Sequence, residues 1–309
     1  MNRVLRIGTR DSQLAVWQAT LVQNLLAEKG FNSELVPLKS DGDIDLVTPL
    51  YEIGVQGVFT KTLDAALLSQ RFDIAVHSMK DVPTQLAKGI VQAAVLPRAS
   101  YKDIIVYKND ASFLDDHTSV ATIATSSIRR RSQWLNRYPN HSIDNLRGNV
   151  NTRLKKLDES NWNGAIFAAA GLERIHLRPE NSIELDWMLP APAQGAIMVV
   201  CNENDAMAKE ACGLLNDPVT AACAKIERDF LRTLLGGCST PISALATIEN
   251  DVLSFEGNIF SLDGRQKAAT QKAIQTTHPS FLSIGVEAAN EVLESGGRQI
   301  TEGIKNAGK

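Results

Sequence analysis

The chain has 309 residues, 44% of them hydrophobic and 22% charged, with a formal net charge of -3. That length suits two or three domains and a sizeable core, and the acidic balance argues against a nucleic-acid binder, which usually carries an overall basic charge. Residues 1–10 lack the apolar stretch of a secretory signal and no apolar run reaches a membrane span, so a cytoplasmic protein with reduced thiols is expected. The four cysteines, Cys201, Cys212, Cys223 and Cys238, include no Cys-x-x-Cys pair, which leaves little support for a zinc or dithiol site, and no metal is expected.

Residues 4–8 read as a first strand, followed by Thr9-Arg10-Asp11-Ser12 and a helix that Asp11 or Ser12 can cap. Leu14, Trp17, Leu21 and Leu25 fall at helical spacing and predict its buried stripe. Gly30 sits where a C-terminal cap belongs. Residues 33–38 are the next strand, and a strand–helix–strand unit of this length implies parallel pairing. After a polar loop at 39–45 comes Gly54-Val55-Gln56-Gly57-Val58-Phe59, a glycine-bearing turn, and then a helix that Thr60 can cap.

Residues 73–83, Asp-Ile-Ala-Val-His-Ser-Met-Lys-Asp-Val-Pro, are the stretch on which the chemistry centres. Ile74, Ala75 and Val76 predict a buried strand of an α/β sheet. Its carboxyl end, where ligands bind in open α/β sheets, delivers His77, Ser78, Lys80 and Asp81, and Pro83 stops any continuation. Lys80 offers a cation to an anionic substrate and Asp81 a carboxylate to a developing positive charge. A further strand at 89–96 ends at Pro97.

Residues 97–102 read as a crossing between domains, with strands at 103–107 and 120–124 beyond it. Thr125-Ser126-Ser127-Ile128-Arg129-Arg130-Arg131 turns into a helix whose exposed N–H groups favour anions. Arginines in a first turn oppose the helix dipole, which points to a use in binding carboxylate or phosphate. The arrangement recurs: a strand at 142–146 leads to Arg147-Gly148-Asn149-Val150-Asn151-Thr152-Arg153, and one at 164–169 leads to Arg174. With Arg10 and Lys80, these cations are expected to converge on one edge of two sheets, in a cleft for a substrate with many carboxylates.

Leu189-Pro190-Ala191-Pro192-Ala193-Gln194-Gly195 reads as a second hinge, and residues 196–201 as a strand returning to the first sheet. Two crossings suit domains that close on a ligand. Cys201, Cys212 and Cys223 read as core residues. A long helix from 217 to about 235 ends in Gly236-Gly237-Cys238-Ser239-Thr240-Pro241, where the glycines permit a turn that presents Cys238, and a thiol there can serve as a nucleophile or a covalent anchor. Strands at 242–248, 252–260 and 266–275 suggest an antiparallel meander. A closing helix at 279–295 and a polar tail after Gly296 follow. The expected architecture is α/β: two hinged α/β domains, 1–98 with 195–216 and 99–194, plus a small α+β domain, 217–309.

Glu227-Arg228-Asp229-Phe230, followed by Leu234-Leu235-Gly236-Gly237-Cys238-Ser239-Thr240-Pro241-Ile242-Ser243, resembles the signature of the porphobilinogen deaminase (hydroxymethylbilane synthase) family. The resemblance extends in order through residues 6–18, 73–83, 125–130, 147–153, 169–174 and Gln194-Gly195. It implies an enzyme that joins four porphobilinogen units head to tail, releases ammonia at each step and hydrolyses off a linear tetrapyrrole. It implies a dipyrromethane cofactor held by a thioether to Cys238, and Asp81 as the catalytic carboxylate. Lys80, Asp81, Ser126, Arg129, Arg130, Arg147 and Gly148 would bind the cofactor. Arg10, Ser12, Arg153, Arg174 and Gln194 would bind substrate, and Phe59 would belong to a lid. The implied fold has first and second domains like those of periplasmic binding proteins.

Two departures from the family pattern stand out. Val55-Gln56 replaces a common Gly-Lys, which removes one expected cation, and Ala193 stands where a glycine often precedes Gln-Gly. The competing readings are a non-enzymatic hinged binding protein for a polycarboxylate and, on Arg129-Arg130-Arg131 alone, a nucleic-acid binder. The latter lacks aromatic residues among its basic ones. A monomer is expected, because no dimer stripe is visible.

Overall fold

The computed structural model describes residues 3–39, 60–234 and 240–307. Residues 54–59, with the expected lid residue Phe59, and Cys238, with the expected glycine turn, lie outside the described residues. The first sheet is built from β1 (Leu5–Arg10), β2 (Ser33–Leu38), β3 (Ile74–Ser78), β4 (Ile90–Val95) and β10 (Ile197–Asn202), in the order β2-β1-β3-β10-β4. The strand β1 pairs in parallel with β2 and β3, while β10 runs antiparallel to both its neighbours. Both faces of β3 are covered. Ile74 and Val76 join one core, Ala75 and Met79 the other, and this is why the segment reads as an unbroken apolar run.

Helix α1 (Gln13–Glu28) crosses between β1 and β2. Its fully buried residues are Ala19, Val22 and Leu26, with Gln18 beside them, whereas Trp17, Leu21 and Leu25 are only partly buried. The predicted stripe is therefore the shoulder of the buried face. The helix lies flush on Leu5, Ile7, Ile74 and Val76 and turns its smaller side chains to the sheet. Gly30 takes φ +85° beyond its end, as a left-handed cap requires. Helix α2 (Lys61–Leu68) follows Thr60, which takes helical angles and makes no capping bond to the backbone.

The second sheet repeats the plan. It contains β5 (Asp103–Tyr107), β6 (Thr122–Ala124), β7 (Ser142–Asp144), β8 (Gly164–Ala168) and β9 (Ser182–Glu184), ordered β7-β6-β8-β5-β9. Here β6 pairs in parallel with β7 and β8, and β5 is antiparallel to β8 and β9. Helices α3 (Ile128–Arg137), α4 (Val150–Glu159) and α5 (Ala169–Glu173) follow β6, β7 and β8.

In each sheet the antiparallel interior strand is the first one laid down after a crossing: β5 after residues 96–102, β10 after 185–196. The crossings touch where Ala99 N donates to Gly195 O at 3.2 Å. Gly195 has φ +88°, and a Cβ there would lie 2.7 Å from Ala99 O and 2.8 Å from Ser100 O, so only glycine fits. Ala193, the residue that departs from the family pattern, is fully buried at φ +62°, a region that costs a residue with a Cβ about 1 kcal/mol or more.

Helices α6 (Ala206–Gly213) and α7 (Pro218–Thr233) lead to the meander β11 (Ile242–Glu249), β12 (Val252–Phe260) and β13 (Lys267–Gln275), which is antiparallel throughout. Helix α8 (Ile284–Val292) is shorter than expected. After a kink at Ser295 and Gly296, where Gly296 has φ +106°, comes α9 (Arg298–Ala307) in place of the polar tail. Ile300 and Ile304, one turn apart, pack on the meander core and give the segment its reason to be helical.

One buried carboxylate ties the three parts together. Glu227 of α7 is fully buried and accepts from both terminal nitrogens of Arg98 at 2.7 and 2.6 Å, from Ala193 N at 2.6 Å and from Ala246 N at 2.7 Å. It thereby joins the first crossing, the second crossing and β11. The turn between β12 and β13 sits on α3, where Asn136 Nδ2 donates to Gly264 O at 2.8 Å.

Candidate functional site

At the carboxyl end of β3 the chain makes a tight 3-10 turn, Met79–Asp81. Met79 is buried and its N–H donates to Ala196 O at 3.0 Å, which leaves Lys80 and Asp81 half-buried on the cleft side. Lys80 Nζ donates to Gln194 Oε1 at 3.1 Å. Burial and the nearby Arg130 and Arg129 push its ammonium down to about 8, against the pull of Asp81 and Asp103.

Gln194 is fully buried, and its Nε2 donates to Tyr101 O at 2.8 Å and to Asp103 Oδ1 at 2.9 Å. Both ends of its amide are engaged by the protein, so Gln194, expected to bind substrate, also bridges Lys80 to the second sheet. The physical reason is its place in the second crossing, packed beneath the turn that carries Lys80.

Arg129 and Arg130, expected to bind the cofactor, have partners within the protein. Both are buried, and they close on Asp103, the first residue of β5. Arg129 Nη2 donates to Asp103 Oδ2 at 2.7 Å, and Arg130 Nε and Nη2 donate to Oδ1 at 3.1 and 2.7 Å. Their remaining terminal nitrogens donate to Leu189 O at 2.8 Å and Ile166 O at 2.9 Å. Burial alone would raise the Asp103 carboxyl, but the two guanidiniums hold it well below the usual carboxylate range. Their position in the first turn of α3 is thus matched by a buried carboxylate.

Several of the other expected residues are held at the starts of helices that follow the strands. Ser126 Oγ lies 2.6 Å from Leu146 O and accepts from Leu146 N at 2.9 Å, which fixes the start of α3 to the end of β7. Ser127 caps α3 through a 3.4 Å bond from Arg130 N. Gly148 has φ +113°, and a Cβ there would lie 2.7 Å from Thr152 Cγ2. Its carbonyl accepts from Arg153 Nε at 2.7 Å. Burial first, then Arg130, Arg147 and Arg10, push the Arg153 guanidinium down to about 10, while Asp81 opposes them. Arg10, Asp81, Arg130, Arg147 and Arg153 therefore share one electrostatic neighbourhood, drawn from both sheets.

On the first wall Arg10 ends β1, and Ser12 stands at the N-cap of α1 without a side-chain capping bond. The walls meet at the rim. Asn151 Nδ2 donates to Gln13 Oε1 at 2.9 Å, and Arg174 lies 5.8 Å over the Trp17 ring while its Nη2 donates to Gly195 O at 2.7 Å. His77 is buried, and burial and Arg10 push it down to about 4.

The sequence reading missed Asp103, Glu227 as a clamp, and Gln18, whose Nε2 donates to Ser78 Oγ at 3.0 Å. A charged residue opening the apolar run Asp-Ile-Ile-Val, and a Glu one turn after Cys223 on a buried helix face, were the available signals. Cys201, Cys212 and Cys223 are buried and free, as expected of core residues. Burial pushes their thiols up to about 11, 12 and 11. Among the described residues no group of three or more His, Cys, Asp or Glu is arranged to hold a metal, and no helix is long and apolar enough to cross a membrane.

The cations crowded near Asp81 repel one another, and an anionic group would relieve them. The dense set of guanidinium and ammonium donors fits a ligand bearing several carboxylates. Fold and site together define a two-crossing α/β protein whose cleft is built for a polyanionic small molecule. The particular family follows from comparison with known proteins. Residues 5–210 match the family model described as porphobilinogen deaminase, dipyromethane cofactor binding domain, and residues 221–294 match the porphobilinogen deaminase C-terminal domain. Curated relatives include the porphobilinogen deaminase of Chlorobium phaeobacteroides, 38% identical with 99% of each chain covered. The chloroplastic enzyme of Pisum sativum is 40% identical, covering 95% of this chain and 82% of the relative. The chain belongs to the porphobilinogen deaminase family. Among solved structures, an ancestral cationic amino acid solute binding protein matches at a TM-score of 0.43 and 15% identity, covering 69% of this chain and 87% of that one.

Proposed function

We propose that the chain is a hydroxymethylbilane synthase, a transferase of tetrapyrrole biosynthesis, working through Asp81 in a cationic cleft and through a dipyrromethane group on Cys238. It condenses four porphobilinogen molecules head to tail, releases ammonia at each step and hydrolyses off the linear tetrapyrrole. The observation that carries this reading is the match of both segments of the chain to porphobilinogen deaminase domains, and the electrostatic neighbourhood that Asp81 shares with Arg10, Arg130, Arg147 and Arg153 supports it.

Each pyrrole ring bears acetate and propionate groups, so a growing chain accumulates negative charge. Arg10, Ser12, Lys80, Ser126, Arg147, Arg153 and Arg174, with the Gly148 backbone, are proposed to hold those carboxylates. Arg129 and Arg130 are proposed to bind the cofactor while fixed on Asp103, and Gln194 to bind substrate while it bridges Lys80 and the second sheet. When bound, the dipyrromethane supplies the two-ring primer to which substrate units are joined. Loss of ammonia from porphobilinogen leaves a cationic azafulvene, and a fixed carboxylate at Asp81 stabilises that cation where it forms and can move protons. Phe59 is proposed as part of a lid. The non-enzymatic binding-protein reading accounts for the cleft but not for family membership across both matched segments.

We further propose a cytoplasmic monomer with no nucleic-acid or membrane partner. The proposed domain division is 1–98 with 195–216, 99–194 and 217–309, a reading supported by which strands share a sheet.

The test joins intact mass to turnover. The purified protein should carry the mass of two linked pyrrole units, and Cys238→Ser should lack it. Asp81→Asn should fold, carry the same mass and lose most turnover. Near-normal activity in D81N removes Asp81 from this role, and an unmodified but active protein removes Cys238.

A further inference from the structure

Helix α7 does more than clamp the crossings. One residue after Glu227, Arg228 projects from the same helix to the turn that carries Lys80 and Asp81. Its Nη1 donates to Val82 O at 2.8 Å and lies 3.4 Å from Met79 O, and its Nη2 donates to Pro83 O at 2.6 Å. Arg228 is buried, and the carbonyls it holds stand on either side of Lys80-Asp81 in the chain. Backbone carbonyls in a buried turn need partners, and a planar fork aligns several at once in a way that an ammonium cannot.

From the residues on this helix we infer that Arg228 is a positioning residue for Asp81: it fixes the 79–83 turn to the helix that leads into the Cys238 loop. The inference rests on the proposed role of Asp81. Helix α7 ends at Thr233, five residues before Cys238 in the sequence. A lateral error of about 1 Å at a reacting centre can cost on the order of a hundredfold in rate, so the expected loss falls on turnover and not on substrate binding.

The experiment compares Arg228→Met, Arg228→Lys and Phe230→Leu with Asp81→Asn, all in the full chain. Phe230 lies in the meander core, away from the turn, and serves as a control for destabilisation of α7. Cofactor mass, thermal midpoint, kcat and KM for porphobilinogen are measured for each. R228M should keep the cofactor mass and lose at least tenfold in kcat with KM within threefold of the parent. R228K, which supplies one donor group without the fork, should fall between R228M and the parent, and F230L should keep kcat within twofold. A kcat loss in R228M no greater than in F230L overturns the inference. If R228M does not accumulate as folded protein, R228K decides: kcat lowered at least twofold at unchanged KM supports the inference, and parental kcat overturns it. Near-normal activity in D81N would instead fail the reading of Asp81 itself, which keeps the two failures apart.

Discussion

Replacing Glu227 by Gln tests the joint between the two crossings and the third sheet. The carboxylate is fully buried and satisfies Arg98, Ala193 N and Ala246 N together. In E227Q the Arg98 guanidinium, 12% exposed, loses its counter-charge, and the amide NH2 turns a donor toward at least one backbone donor. Breaking a buried pair from one side costs about 3–5 kcal/mol, and a middle value of about 4 kcal/mol is expected here. With 309 residues and about 2.1 cal/mol/K of unfolding entropy per residue, that loss lowers the melting midpoint by about 6 °C. Calorimetry of E227Q beside Glu159→Gln supplies the scale, because Glu159 pairs with Lys155 at 3.6 Å on an exposed helix face and should cost less than about 0.5 kcal/mol. In the double variant R98M/E227Q the loss should be smaller than the sum of the two single losses. If E227Q melts within about 1 °C of the parent, the clamp contributes nothing and the reasoning fails.

Gly264→Ala should lower stability by about 2 kcal/mol or more, because φ is +75° and the new Cβ would lie 2.4 Å from Ser132 O; Gly303→Ala, with nothing within 4 Å of its Cβ, should be neutral or stabilising by up to about 1 kcal/mol, and equal melting of the two variants would contradict both. His77 sits near 4 in the fold against its ordinary 6.5, so the unfolded chain takes up the proton first. Stability should fall as pH drops from about 6.5 to 4, by about 3 kcal/mol in all from this group, and His77→Gln should flatten that part of the pH–stability curve; an unchanged slope removes His77 as its source. Arg153→Gln should slow cofactor loading of the apo-protein at least fivefold while leaving its melting midpoint within about 1 °C, since Arg153 is repelled by Arg130, Arg147 and Arg10; normal loading, followed by intact mass, would place the carboxylates elsewhere.

Much of the architecture is legible because local signals agree with the tertiary outcome. Residues 33–38, 103–107 and 252–260 form strands at the bounds read from the sequence, where apolar runs are bracketed by turn residues. The strand β9 is only Ser-Ile-Glu at a sheet edge, too short to carry a period, and α9 is helical because Ile300 and Ile304 find a core elsewhere in the chain. For the site, motif reading could single out Lys80, Arg147 and Arg153, and Lys80 and Arg153 share neighbours in Arg130 and Asp81. The bonds that Arg129, Arg130 and Gln194 make to Asp103 could not be read, because Asp103 is distant in sequence from all three and no local pattern announces its burial.

The interleaving of the two sheets also fixes an order of events as the chain leaves the ribosome. All the strands of the second sheet lie between Asp103 and Glu184, so that unit is complete before the chain returns. The first sheet begins at Leu5 yet has its seat between β3 and β4 filled only by Ile197–Asn202. Until those residues emerge, β3 and β4 each present an open edge, the kind of surface that invites wrong pairing. The turn bearing Asp81 is held by Ala196 and therefore settles last within its sheet. The strands of the inserted domain are therefore complete first, and the first sheet can close only after nearly two thirds of the chain has been made.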